Sequence, residues 1–210
     1  MKKKILFIVG FNVIIVLCIY PQGIFKVTIP TYSQNELGYP LGCEGISLYM
    51  ALKGKGYVED TDVDDFMATM PRSEENPEYG FVGDPSLSKK DSVNTDKRTT
   101  IYPAPLAKWG KEYGNVEDIS GASTDELKEQ LELGNPVIVY VTGGYKTPKW
   151  QEYSWGKAVT NGHVVCLVGY SKWTGDYLIN DCGSHLGEYW VNQKKFEKVY
   201  LERRYAVVVK

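Results

Sequence analysis

The chain has 210 residues, 43% of them hydrophobic, and sets 24 basic against 26 acidic side chains for a formal charge of −2. That length supports one domain around a real hydrophobic core, and near-neutrality without a basic block excludes a nucleic-acid binder, which needs concentrated positive charge to displace phosphate counterions. Gly 21, Pro 10, Tyr 16 and Trp 5 point to a turn-rich fold with strands and clefts and exclude collagen and coiled coil.

The first residues differ from the rest. Met1-Lys2-Lys3-Lys4 precedes an apolar run over residues 5–20, broken only by Gly10 and Asn12. As a helix this run would rise about 24 Å, short of the roughly 30 Å hydrocarbon core of a bilayer. Residues 1–24 are therefore predicted to be a signal peptide or N-terminal membrane anchor, and residues 25–210 the domain it carries to an extracellular or cell-surface location. If the segment is retained, residues 5–20 form a membrane tether with the Lys cluster on the cytoplasmic side.

Residues 27–32 read as a short strand, and 34–42, with Gly38, Pro40 and Gly42, as a loop. A helix is predicted from Cys43 through Ile46, Leu48, Met50, Ala51 and Leu52 to Gly54 and Gly56. A second is predicted over 62–70, with Val63, Phe66, Met67 and Met70 at helical spacing and Thr61 as cap. Residues 72–100 are polar and carry Pro77, Gly80, Gly83 and Pro85, which predicts a long surface excursion. Helices are expected over 105–113 and, opened by Ser123-Thr124-Asp125-Glu126, to Gly134. Extended apolar runs then predict strands over 136–142, 163–170, 177–180, 188–191 and 205–209. Helices first and strands second indicate an α+β domain with a helical lobe followed by an antiparallel sheet lobe.

Outside the apolar leader the cysteines are Cys43, Cys166 and Cys182, an odd set too small for a disulfide framework. At least one thiol is unpaired. Cys43 follows Gly42 at a predicted helix start, where the helix dipole and unpaired N–H groups favour a thiolate. His163 directly precedes an apolar strand, and a turn around Trp173-Thr174-Gly175-Asp176 returns the chain to Asp181, so both residues fall at one end of a hairpin. Simple pairing about that turn leaves them a few residues out of register, which requires a bulge or turn adjustment. Gln34, on the loop before Cys43, carries an amide able to donate to an oxyanion beside the Cys43 N–H.

Ile29-Pro30-Thr31-Tyr32-Ser33-Gln34, Gly42-Cys43-Glu44, Gly80-Phe81-Val82-Gly83-Asp84-Pro85, Gly162-His163-Val164-Val165 and Asn180-Asp181 occur in that order over roughly residues 28–209. In these motifs the chain resembles the bacterial peptidases related to the bacteriocin-processing (double-glycine) cysteine peptidases. The resemblance implies a papain-like cysteine peptidase fold, with Cys43 as nucleophile, His163 as general base, Asp181 as the acid that orients the imidazole and Gln34 as oxyanion donor. Cys182 stands where relatives commonly carry Pro, and Asn180 is the alternative orienter. The function expected is an exported or tethered cysteine peptidase that uses no cofactor and no metal, takes a peptide or protein substrate and acts as a monomer. Its alternatives are an acyl-transfer enzyme of the same architecture, such as a transpeptidase or amidase, and a catalytically silent cell-surface binding domain.

Four further readings concern single residues. Cys166 and Cys182 are out of phase with His163 and Asp181, and form either a cross-strand disulfide or two buried thiols. His185 is expected at the surface, and a zinc site of His163, His185, Cys182 and Asp181 matches no established spacing. Glu44 is expected to complement the helix dipole. Phe81, Tyr145, Trp150, Tyr153 and Trp155 either line a cleft or pack the lobes.

Overall fold

The computed structural model describes residues 23–88 and 97–210, so the apolar run over 5–20 and its predicted role lie outside the described residues. In chain order the elements are β1 (Ile24–Lys26), α1 (Cys43–Gly54), α2 (Val63–Ala68), β2 (Arg72–Ser73), β3 (Phe81–Val82), α3 (Pro103–Gly110), β4 (Val116–Asp118), α4 (Thr124–Glu132) and β5 (Val137–Thr142). A 3-10 turn at Gly143–Tyr145 leads to β6 (Trp150–Tyr153), β7 (Gly156–Val159), β8 (Gly162–Ser171), β9 (Tyr177–Asn180), β10 (Glu188–Val191), α5 (Gln193–Tyr200) and β11 (Ala206–Val209). Helices mostly precede strands, and the main sheet is antiparallel throughout, in the order β10-β9-β8-β5-β11-β4 with β1 added on β8. The expected α+β architecture is thus present.

β5 is buried along its whole length and β8 along most of it, which requires cover on both faces of the sheet centre. α1 supplies part of that cover. Cys166 Sγ on β8 donates to Ser47 O of α1 at 3.1 Å, and Ser47 Oγ donates to Val164 O at 3.4 Å. On its other side α1 meets α2 and α3 through an aromatic chain, Tyr49 to Phe66 at 5.3 Å and Phe66 to Trp109 at 4.3 Å between ring centroids. Glu44 to Leu52 are consequently all buried, so α1 is the central pillar of the domain and not a helix with one apolar stripe.

Several boundaries differ from expectation. The N-terminal strand is Ile24–Lys26, not residues 27–32, because β1 pairs with β8 only at Gly169–Ser171 and β5 occupies the same strand from Leu167 onward. Pro30, which has no N–H, could not extend a ladder in any case. Gly169 is required at this junction, since a Cβ there would lie 2.3 Å from Phe25 O. Asp62, not Thr61, caps α2 by accepting from Asp64 N at 2.8 Å. Within the expected surface excursion, Phe81 and Val82 are buried and pair with β2, so Phe81 packs the interior and does not line a cleft. Helix α4 carries the expected Ser123–Glu126 capping box. The strands β2, β3 and β4, the β6–β7 hairpin and α5 went unpredicted.

Candidate active site

The helical side of the site begins in the loop before α1. Gln34 is buried and held three ways: its N–H donates to Cys182 O at 2.9 Å, its Nε2 donates to Pro40 O at 2.6 Å, and its Oε1 accepts from Cys182 Sγ at 3.3 Å. The Cys182 thiol can only use the amide oxygen in this way, so it fixes which end of the Gln34 amide faces which neighbour. One of the two Nε2 protons is taken by Pro40, and the other is available to the cleft. Gly42 then occupies the N-cap of α1 and, having no side chain, leaves the first-turn N–H groups without a side-chain cap. This is a ready anion site at the residue that bears the thiol.

Cys43 is half-buried, and its Sγ donates to Glu44 Oε2 at 3.3 Å. Glu44 is buried as well, and its second oxygen accepts from the Thr100 hydroxyl. It therefore does more than complement the dipole: it ties the thiol to the segment after residue 97. Burial pushes the Cys43 thiol well above its ordinary value, the Glu44 charge and Cys182 push it further, and a hydrogen bond from the Val164 backbone works against them. Burial and the neighbouring carboxylate thus act against the thiolate that the helix start favours.

The sheet side is built by the β8–β9 hairpin. Its register shifts between Leu167 and Gly169, which supplies the expected bulge, and pairs Cys166 with Asn180. His163 at the start of β8 and Asp181 just past β9 then meet, with His163 Nε2 2.7 Å from Asp181 Oδ1. Asp181 Oδ1 also accepts from Gly183 N at 2.8 Å, and Oδ2 accepts from the Tyr189 hydroxyl at 2.6 Å. Burial raises the Asp181 carboxyl, but hydrogen bonds from His163, Tyr189 and Gly183 outweigh it and hold the group below the usual carboxylate range. Asn180 faces elsewhere: its amide donates to Thr31 Oγ1 at 2.9 Å and Pro30 O at 3.3 Å, so Asp181 and not Asn180 contacts the imidazole.

The two sides share one cleft of about 870 Å³, lined by Gln34, Cys43, His163 and Asp181. Gly183 marks where they converge. A Cβ there would lie 2.8 Å from His163 Cε1 and 3.2 Å from Gln34 Oε1, so any side chain would displace the imidazole or the amide. Among the described residues no hydrogen bond joins Cys43 to His163, whose Nε2 is committed to Asp181 and whose Nδ1 is the nitrogen left for the cleft.

The remaining expectations sort as follows. Cys166 and Cys182 are buried free thiols, not a disulfide. Among the described residues no three His, Cys, Asp or Glu side chains converge on a metal position. His185 is exposed, as expected, on the rim of the cleft. Tyr153 lines the cleft and stacks on Trp155 at 5.2 Å, Trp150 is exposed, and Tyr145 is buried beside the cleft-lining Tyr189 without lining the cleft itself. Sequence reasoning missed Tyr189, Gly183 and Thr100. For Tyr189 a signal existed in the strand over 188–191, whose residue after Glu188 shares a ladder position with Ile179, two residues from Asp181.

Comparison with known proteins agrees with this geometry. Residues 26–208 match the model of the Peptidase_C39 like family. The uncharacterized protein YvpB of Bacillus subtilis (strain 168) is 31% identical over 140 residues, 61% of this chain and 54% of that protein, so the chain spans about half the length of this relative. A crystal structure of a C39-like peptidase candidate from Bacillus anthracis superposes with a TM-score of 0.75 at 22% identity, over 90% of this chain and 97% of that one. Xylellain, a cysteine protease from Xylella fastidiosa, gives a TM-score of 0.45 at 12% identity over 90% and 85% of the two chains. The match over nearly the whole described domain, on a fold shared with the Bacillus anthracis protein, makes this chain a member of the Peptidase_C39 like family of papain-like fold.

Proposed function

We propose that the domain is a cysteine peptidase in which Cys43 is the nucleophile, His163 the general base, Asp181 its orienting acid and Gln34 an oxyanion donor. The reading is carried by one observation: an imidazole fixed at Nε2 by a buried carboxylate opens onto the same cleft as a thiol at an uncapped helix N-terminus. Facing the Asp181 carboxylate, Nε2 carries the imidazole's proton in this mechanism and Nδ1 its lone pair. When a substrate carbonyl enters, the thiol leaves Glu44, passes its proton to Nδ1 and attacks the carbonyl carbon. The oxyanion accepts hydrogen bonds from the free Nε2–H of Gln34 and the first-turn N–H of Cys43. His163 then protonates the departing amine, and water drawn through the same imidazole hydrolyses the thioester. Consistent with the sequence reading of residues 1–24, the substrate is a peptide or protein met outside the cytoplasm.

The thiol's bond to Glu44 favours a second reading, a binding domain whose thiol stays protonated. Digestion of a random peptide library by the full chain, with new termini identified by mass spectrometry, separates the two. The peptidase reading expects cleavage by the wild type and none by Cys43→Ala. Cleavage that survives Cys43→Ala, or no cleavage by the wild type, would refute it. An added amine that diverts product into a new amide would identify the acyl-transfer variant of the same chemistry.

A further inference from the structure

The cleft holds two cations that the mechanism does not use. Arg98 and Arg203 both line it, together with Cys43 and His163. Arg98 Nε donates to Val159 O at 2.8 Å and its Nη1 to Thr99 O at 2.6 Å. Arg203 Nη2 donates to Val141 O at 3.0 Å, and its guanidinium lies 5.8 Å and 5.6 Å from the ring centroids of Tyr140 and Tyr205. Backbone carbonyls and aromatic faces thus fix each head group while neutralising neither. The two remaining nitrogens converge: Arg98 Nη2 and Arg203 Nη1 lie 2.8 and 3.8 Å from the position a Cβ would take on Gly162, the residue before His163.

Two guanidiniums brought this close repel each other unless an anion sits between them. Among the described residues neither forms an ion pair. The two carboxylates lining the cleft are already engaged, Glu44 by Thr100 and Cys43, and Asp181 by His163, Tyr189 and Gly183. Lys97 on the same wall adds further positive charge. Burial and the neighbouring Arg98 both lower the proton affinity of Arg203, as expected for a cation lacking its counter-ion.

We propose that Arg98 and Arg203 form a subsite for a substrate carboxylate, each aiming a free N–H at one of its oxygens, and that this subsite directs the enzyme to peptides with an acidic group near the scissile bond. The inference rests on the peptidase reading for its substrate class but on the paired arginines for its selectivity. The carboxylate comes either from an Asp or Glu side chain or from the peptide's C-terminus, and both present the same planar pair of oxygens.

The test measures binding apart from turnover. Fluorescein-labelled hexapeptides carrying Glu or the isosteric Gln at each position in turn, each made as C-terminal acid and amide, are titrated by anisotropy into the full chain bearing Cys43→Ala. The subsite predicts that at least one acidic peptide binds about tenfold or more tighter than its neutral twin, the size expected when a charge-assisted pair is lost. Preference at a Glu position identifies a side-chain carboxylate, and preference for the free acid identifies a C-terminal one. Arg98→Gln and Arg203→Gln should each bring the ratio towards one, and Arg98→Gln alone decides the matter if Arg203→Gln, which packs between two tyrosines, fails to fold. Equal binding of acidic and neutral twins, or a preference that survives Arg98→Gln, would overturn the subsite. Selective binding of acidic peptides by a wild type that cleaves none would leave the subsite standing and refute the peptidase reading, and cleavage without selectivity would do the reverse.

Discussion

The two walls of the cleft are prepared to different degrees. On the sheet side the carboxylate and the imidazole are already joined: Asp181 accepts from His163, Tyr189 and Gly183, which holds the ring in one orientation. On the helical side Gln34 is oriented, but the Cys43 thiol donates to Glu44 and is held protonated by burial and by that carboxylate. The difference shows where the fold invests its rigidity. In the proposed mechanism the base is set in advance by a strand hairpin with a bulge, whereas the thiol waits hydrogen-bonded to a carboxylate and exchanges that partner for His163 when substrate enters. Such a division limits stray reactions of a thiol while keeping the costly geometry, a buried carboxylate bonded to an imidazole, assembled.

Perturbing the prepared wall should have the largest effect. Asp181→Asn keeps the shape but removes the charge that selects the tautomer, and kcat for peptide cleavage is expected to fall by about 10³–10⁴, as when an orienting acid is neutralised in other triads. The same variant alters the acid stability profile. Because the folded carboxyl is held below its ordinary value, Asp181 contributes stability above the unfolded carboxylate range near pH ~3.9, and that contribution is lost as pH falls through the folded value. Urea midpoints at neutral and acidic pH should therefore differ less in Asp181→Asn than in the wild type; an unchanged difference would show that the carboxylate is not held as described.

A smaller loss is expected on the helical wall. Gln34→Ala removes one oxyanion donor and should lower kcat by about 10²–10³ with KM little changed. A loss confined to KM would instead make Gln34 a ground-state contact. Smallest of all is Tyr189→Phe, which removes one of three donors to Asp181 and costs about 1.5–3 kcal/mol of neutral-pH stability, the worth of a hydrogen bond to a charged group. The acid limb of its activity profile should move upward, because a donor that lowers the Asp181 carboxyl is gone; an unmoved limb would assign Tyr189 a packing role alone.

Much of this arrangement was legible in the sequence where local rules operate. Gly42-Cys43 announced the start of α1, extended apolar runs announced β5, β8 and β9, and the arithmetic of the turn at residues 173–176 required a bulge or turn adjustment, which the register shift that brings His163 to Asp181 supplies. What stayed hidden depends on segments distant in the chain. Glu44 read only as a dipole-complementing carboxylate in a first helical turn, whereas it is buried and accepts from Thr100. Cys182 looked like a disulfide candidate, and its thiol instead orients Gln34 from 148 positions away. The strand expected over 27–32 failed because its ladder position on β8 is taken by β5, a competition that no local pattern reveals. α5 had its signal in Asn192 and the Phe196, Val199 and Tyr200 spacing, but charged residues between them masked the stripe.

The contrast between a set base and a waiting nucleophile is tested most directly by the pH dependence of Cys43 alkylation, followed by peptide mapping so that Cys166 and Cys182 are scored separately. In the wild type, iodoacetamide should modify Cys43 with an inflection above the ordinary thiol value of about 8.5. Glu44→Gln should move that inflection downward, since it removes a charge that raises the thiol. A wild-type Cys43 that reacts fully at mildly acidic pH, with a profile indifferent to Glu44→Gln, would contradict the account.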